Sequence, residues 1–211
     1  MSLDFSKILH SLGLIGIFRG LAPADAESVI TAAVENGLRI VEIPLNSPDP
    51  LVSIKQLAKS FGKDVLVGAG TVTTPSEVIA VAEAGGRLIV TPYARVDVVK
   101  KAKELGLVAV SGAMTPTEIA AMYAAGADAV KLFPAEIIPP VAIKAMRAVL
   151  PRKLLLIPVG GITLNNMAAF LAAGADGFGL GSALYRVGDS PDSVAENTAA
   201  FVKKLQVLKY M

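Results

Sequence analysis

Gly126-Ala127-Asp128-Ala129-Val130-Lys131 is the segment on which the fold turns. It couples a glycine that can stop a helix to a short apolar run suited to a buried strand. The arrangement recurs as Gly37-Leu38-Arg39-Ile40-Val41-Glu42 and as Gly174-Ala175-Asp176-Gly177-Phe178. Further helix-stopping glycines fall at Gly62, Gly85 and Gly106, so that from Gly37 to Gly126 the spacing is 20 to 25 residues. The longer interval to Gly174 holds two units, with Pro151 at their boundary. Helix starts alternate with these stops. Thr74-Pro75-Ser76-Glu77 and Thr115-Pro116-Thr117-Glu118 each combine an N-cap threonine, a proline at the first helical position and a capping-box glutamate. Ser190-Pro191 opens the last helix in the same manner.

Eight strands are predicted: Leu14–Phe18, Arg39–Ile43, Val65–Ala69, Leu88–Thr91, Leu107–Val110, Ala129–Phe133, Leu154–Val159 and Gly177–Leu180. Each precedes a helical pattern, and their near-continuous apolar character suits parallel strands buried on both faces. Eight such units in 211 residues predict a compact (β/α)8 TIM barrel. A doubly wound sheet is the alternative, but no G-x-G-x-x-G motif follows the first strand. Phe5, Ile8, Leu9 and Leu12 lie at helical spacing and predict an extra N-terminal helix closing one barrel end. No linker divides the chain, so residues 1–211 are read as a single barrel domain.

Composition narrows the chemistry. There is no cysteine and one histidine, His10, so disulfides, thiolate or multi-histidine metal sites and a cysteine nucleophile are excluded. A net charge of +2 without a basic run argues against nucleic acid. The longest charge-free stretch, Leu154–Ala175, is interrupted by Pro158, Gly160, Gly161, Asn165 and Asn166, which argues against a membrane span. Met1-Ser2-Leu3-Asp4 lacks the basic and apolar regions of a secretory leader, and a cytoplasmic location is expected.

Reactive groups in this fold sit at the carboxyl ends of the strands. Three ionisable residues fall there: Arg19 after the first strand, Glu42 in the second and Lys131 in the sixth. Alternation puts Ala129, Lys131 and Phe133 on one face, and Ile40, Glu42 and Pro44 on another. Strands two and six face each other across an eight-stranded barrel, so both charges reach one lumen. One reading is a structural Glu–Lys pair plugging the barrel mouth. The other is a lysine kept neutral by desolvation and by nearby Arg19, and therefore nucleophilic toward a carbonyl, beside a glutamate that moves protons.

Glycine marks two further loops. Val159-Gly160-Gly161-Ile162-Thr163 ends strand seven, and Gly179-Leu180-Gly181-Ser182 ends strand eight. Loops at these positions commonly cradle phosphate, here through the amides of Gly161, Gly181 and Ser182 and the Ser182 hydroxyl. Gly68-Ala69-Gly70-Thr71 ends strand three; it leaves room for a ligand whose carboxylate Thr71 can bond, or it is ordinary packing around a bulge. Thr91-Pro92 ends strand four and offers a wall.

With these pieces in place, the chain resembles the 2-keto-3-deoxy-6-phosphogluconate/phosphogalactonate aldolases over about Ile15 to Lys203. The resemblance rests on Ile17-Phe18-Arg19-Gly20, Val41-Glu42-Ile43-Pro44-Leu45-Asn46, Gly68-Ala69-Gly70-Thr71, Ile89-Val90-Thr91-Pro92, Ala129-Val130-Lys131-Leu132-Phe133-Pro134, Val159-Gly160-Gly161 and Gly179-Leu180-Gly181-Ser182. It implies a class I aldolase with a Schiff base on Lys131 and acid–base chemistry by Glu42. It further implies substrate contacts at Arg19, Thr71, Pro92, Phe133, Val159, Gly160, Gly161, Gly181 and Ser182. No metal or cofactor is implied; the substrate is a phosphorylated keto-deoxy sugar acid, and the assembly a homotrimer. Gluconate-type members tend to carry threonine–leucine–arginine after the catalytic glutamate and threonine before the paired glycines. Pro44-Leu45-Asn46 and Val159 stand there in this chain, which resembles the phosphogalactonate branch. One departure is Ser111-Gly112-Ala113-Met114, where the family often has proline–glycine. A gluconate-selective or dual-specificity aldolase, another phosphate-barrel enzyme such as an isomerase or a thiamin-phosphate-type synthase, and a non-catalytic phosphosugar-binding barrel are the competing readings.

Overall fold

The computed structural model describes residues 3–209. Met1 and Ser2, part of the segment read as lacking a leader, lie outside the described residues, as do the last two residues of the 1–211 domain reading. The strands are β1 (Leu14–Ile17), β2 (Ile40–Pro44), β3 (Leu66–Gly70), β4 (Leu88–Val90), β5 (Val108–Ala113), β6 (Ala129–Leu132), β7 (Leu155–Pro158) and β8 (Phe178–Leu180). All pairings are parallel, in the order β7-β6-β5-β4-β3-β2-β1-β8. A parallel bridge between Val159 and Gly179 joins the two ends and closes the (β/α)8 barrel. Helices alternate with strands: α1 (Phe5–Ser11), α2 (Pro23–Glu35), α3 (Pro50–Phe61), α4 (Pro75–Glu83), α5 (Val96–Glu104), α6 (Pro116–Ala124), α7 (Pro140–Arg147), α8 (Met167–Ala172) and α9 (Pro191–Lys209).

Both threonine–proline starts form full capping boxes, Thr74 with Glu77 and Thr115 with Glu118. Ser190 Oγ accepts from the Ser193 amide at 3.2 Å, capping α9. Gly37, Gly85, Gly106, Gly126 and Gly174 take positive φ, the left-handed turn that a side chain resists. Gly62 does not: its φ is −61°, still right-handed helical, so its role is not the left-handed stop expected from its spacing.

The apolar residues sort into two cores. Leu14, Val41, Val67, Ile89, Ala109, Val130, Leu156 and Phe178 face outward against the helices. Ile15, Ile17, Ile40, Leu66, Leu88, Val110, Ala129, Leu155 and Ile157 fill the lumen together with Phe5 and Leu9 of α1. The extra helix therefore stoppers the amino-terminal end of the barrel, where burying a side chain such as Leu9 contributes about 1.5–3 kcal/mol. Asp4 caps this helix by accepting from the Lys7 amide at 3.1 Å.

The repeated Gly-Ala-Asp triplets acquire a second meaning. Asp128 Oδ2 accepts from the Ala109 amide at 2.8 Å, and Asp176 Oδ2 from the Leu156 amide at 2.7 Å. Each aspartate thus pins its own strand to the preceding one. Arg147 pairs with Asp176 and also donates to the Leu154 carbonyl at 2.7 Å and the Gly174 carbonyl at 2.8 Å. These polar braces lie at the amino-terminal rim, the end of such barrels that serves stability. The carboxyl ends of the strands remain for chemistry.

Candidate active site

Towards the carboxyl ends, the inward-facing positions change character. Gly68 and Gly70 of β3 and Gly112 of β5 continue the lumen face, as does Gly179 of β8, where apolar side chains filled it lower down. The space they leave is taken by Glu42 from β2 and Lys131 from β6, four strands apart on the ring. Glu42 is 1% exposed and Lys131 6%. The fit around Glu42 is tight: a Cβ on Gly70 would lie 1.7 Å from Glu42 Oε2 and 2.2 Å from Cδ. Glu42 Oε2 nevertheless has no hydrogen-bond partner. Among the described residues, Glu42 and Lys131 form no ion pair within 4.0 Å. The Lys131 Nζ lies 4.9 Å from the centroid of the Phe133 ring.

Burial moves both groups toward neutrality. Desolvation raises Glu42 from 4.5 to about 7, while the positive charges of Lys131 and Arg19 pull the other way. Desolvation lowers Lys131 below its ordinary 10.5; Glu42 opposes that shift and Arg19 reinforces it. Desolvation thus disfavours the charged forms of both the buried amine and the buried acid, and brings their proton affinities closer together than in an exposed Lys–Glu pair.

A cavity of about 560 Å³ opens beside Lys131 at the ends of β1, β6, β7 and β8. It brings together Arg19, Lys131, Phe133, Val159, Gly160, Gly161, Gly181 and Ser182 from the expected set. Glu42, Thr71 and Pro92 do not line it. Arg19 is exposed and donates from Nη1 to Asn46 Oδ1 at 2.6 Å. Gly160 and Gly161 take φ of 103° and 62°, and no hydrogen bond among the described residues uses the amides of Gly161, Gly181 and Ser182. These donors are free for a ligand.

Thr71 has a φ of 57°, a left-handed conformation rare for a β-branched residue. Holding it there costs about 1–3 kcal/mol, and such strain collects at ligand-binding positions. Pro92 follows a network in which Thr91 Oγ1 donates to the Tyr93 carbonyl at 2.7 Å and accepts from the Gly112 amide at 2.9 Å. The Ser111 hydroxyl, fully buried, lies 3.1 Å from the same Thr91 oxygen. Serine in place of the family proline thus joins the hydrogen bonding of the wall formed by strands four and five.

Two charged residues of the cavity were not picked out from sequence. Glu136 lies in a short 3-10 turn, Ala135–Ile137, after β6, and Arg186 in the loop after β8. Neither belongs to a strand, so alternation gave no reason to single them out.

Fold and site together define a barrel protein with a buried amine, a buried acid and an open cavity towards the carboxyl ends of its strands. The chain belongs to the KDPG and KHG aldolase family, which matches over residues 6–197, and is thus an aldolase, a carbon–carbon lyase. It is 46% identical over 187 residues to a probable 2-dehydro-3-deoxy-6-phosphogalactonate aldolase of Rhizobium meliloti (strain 1021), covering 89% of this chain and 88% of that one. Identity to the 2-dehydro-3-deoxy-6-phosphogalactonate aldolase of Escherichia coli (strain K12) is 43% over 192 residues, covering 91% and 94%. A solved structure described as native KDPGal superposes with a TM-score of 0.94 at 40% identity over the whole of both chains.

Proposed function

We propose that this aldolase cleaves 2-dehydro-3-deoxy-6-phospho-D-galactonate to pyruvate and D-glyceraldehyde 3-phosphate through a Schiff base on Lys131. One observation carries the reading: an amine and an acid are both buried at the head of a closed barrel, and desolvation drives each toward its neutral form. A structural plug would close up into a hydrogen-bonded pair, whereas Glu42 Oε2 is left without a partner, free for a water or a substrate hydroxyl.

The neutral Lys131 amine adds to the C2 ketone, and loss of water gives an iminium. Glu42, ionised, takes the C4 hydroxyl proton, directly or through a water, as the C3–C4 bond breaks. The bonding electrons pass to the iminium nitrogen, leaving an enamine and releasing glyceraldehyde 3-phosphate. Protonation at C3 and addition of water then return the amine and pyruvate. Arg19 and Thr71 hold the carboxylate end, with Pro92 and Phe133 as walls. Gly160, Gly161, Gly181 and Ser182 take the 6-phosphate. Fixing both ends sets C2 beside Lys131, a proximity contribution to the rate.

The two phosphogalactonate relatives support the galactonate epimer. So does Val159, buried at the cavity wall, which cannot bond a C4 hydroxyl as a threonine would. A gluconate or dual specificity is the second reading, and assay of both epimers separates them. A homotrimer in the cytoplasm fits the family; among the described residues no helix is long and apolar enough to cross a membrane. The decisive experiment treats the enzyme with pyruvate and borohydride. The wild type should gain the mass of a reduced pyruvate adduct on the peptide holding Lys131, and Lys131→Ala should gain none and turn over nothing. An adduct on another lysine would end the assignment.

A further inference from the structure

The cradle given above to the phosphate carries a side chain for which the proposed chemistry has no use. Glu136 is fixed just after β6 by two backbone bonds, Ala135 N to the Val159 carbonyl at 2.8 Å and Ile137 N to the Pro134 carbonyl at 3.2 Å. Its side chain lies across the Gly160–Gly161 pair. A Cβ on Gly160 would come within 2.2 Å of Glu136 Oε2, and one on Gly161 within 2.7 Å of Glu136 Cγ. The glycines are required for their positive φ, and the exposed Glu136 side chain rests in the space that they leave open.

The cationic side chains of the same cavity are Arg19, Lys131 and Arg186, and Arg186 Nε donates to the Ser182 carbonyl at 3.2 Å. Among the described residues Glu136 makes no ion pair within 4.0 Å and its carboxylate accepts no hydrogen bond. A negative charge thus stands beside free amides that invite an anion, and it offsets the pull of Arg186.

We propose that Glu136 is a selectivity residue: its charge opposes the dianionic phosphate and so reduces the preference for phosphorylated over unphosphorylated keto-deoxy sugar acids. The inference rests on the phosphate reading of the cradle. A carboxylate beside a dianion in a half-open cavity is screened by water and salt, so the effect is modest and falls with ionic strength.

The test compares wild type with Glu136→Gln, which keeps shape and removes charge, and with Glu136→Ala. The readouts are kcat/KM for the 6-phosphorylated substrate and for its unphosphorylated counterpart, and competition by inorganic phosphate. Glu136→Gln should raise the phosphorylated-to-unphosphorylated ratio about three- to tenfold at low salt, and phosphate should compete at correspondingly lower concentration. Most of the gain should vanish at ~0.5 M salt. A ratio unchanged or lowered in Glu136→Gln overturns the proposal. So does a gain confined to Glu136→Ala, which would make the effect one of bulk. If inorganic phosphate fails to compete in the wild type, the cradle assignment itself falls. If it competes there and Glu136→Gln changes nothing, only the role of Glu136 falls.

Discussion

Gly70→Ala adds one methyl group at the point where the barrel is tightest. Gly70 lies in β3 without a positive φ, so alanine suits the backbone and any effect comes from the new Cβ. That atom would stand 1.7 Å from Glu42 Oε2, 2.2 Å from Cδ and 2.4 Å from Oε1. Carbon–oxygen contact needs more than 3 Å, on the order of 1–2 Å beyond the room available. The carboxylate must move away from β3, and at 1% exposure it does so against close-packed neighbours. Overpacking of this kind costs about 1–3 kcal/mol, which for a chain of this size lowers Tm by roughly 2–12 °C. Displacing an acid–base group by about 1 Å costs on the order of a hundredfold in rate. We therefore expect kcat to fall about a hundredfold, with a folded protein that still traps pyruvate on Lys131. Circular-dichroism melting, steady-state kinetics and the borohydride adduct separate the three terms. If turnover stays within about threefold of wild type while the protein remains folded, the placement of Glu42 does not matter to the reaction as argued.

Glu42→Gln should lower kcat about a hundred- to ten-thousandfold. In the wild type, kcat/KM should rise with pH through about 7 as Glu42 ionises, and that limb should be missing from the residual activity of the variant. Stability follows with the opposite sign. Because the folded-state value lies above the unfolded 4.5, the contribution of Glu42 is complete below about 4.5 and is lost as pH rises through about 7. Melting temperatures from pH 4 to 8 should show that loss in wild type and a flatter profile in Glu42→Gln. Val159→Thr should shift the ratio of kcat/KM values toward the gluconate epimer by about tenfold or more, read by assaying both epimers; an unmoved ratio removes Val159 from the stereochemical choice.

The strand and helix pattern was legible because local chemistry repeats along this chain. Threonine–proline–x–glutamate starts and glycine stops are decided within a few residues, and the caps at Thr74 and Thr115 formed as their sequences require. The fifth strand was misjudged at its end. It was predicted to stop at Val110, yet β5 continues through Ser111-Gly112-Ala113, and Gly112 pairs with Lys131. A Cβ there would meet the Pro92 backbone at 2.5 Å, so that glycine serves a close approach between strands. Alternation sufficed to put Glu42 and Lys131 on lumen faces. The need for Gly70 beneath Glu42 was not visible, since it arises between strands 28 positions apart in sequence. Glu136 and Arg186 escaped for the same reason: their importance comes from what the loops bring near them.

Among the described residues, the helix seated in the amino end shuts that side of the barrel with Phe5 and Leu9, while the cavity beside Lys131 opens on the opposite side. On the chemistry proposed, the keto acid stays bonded to Lys131 at the closed depth of the barrel until water frees it, so the aldehyde departs first and the keto acid last.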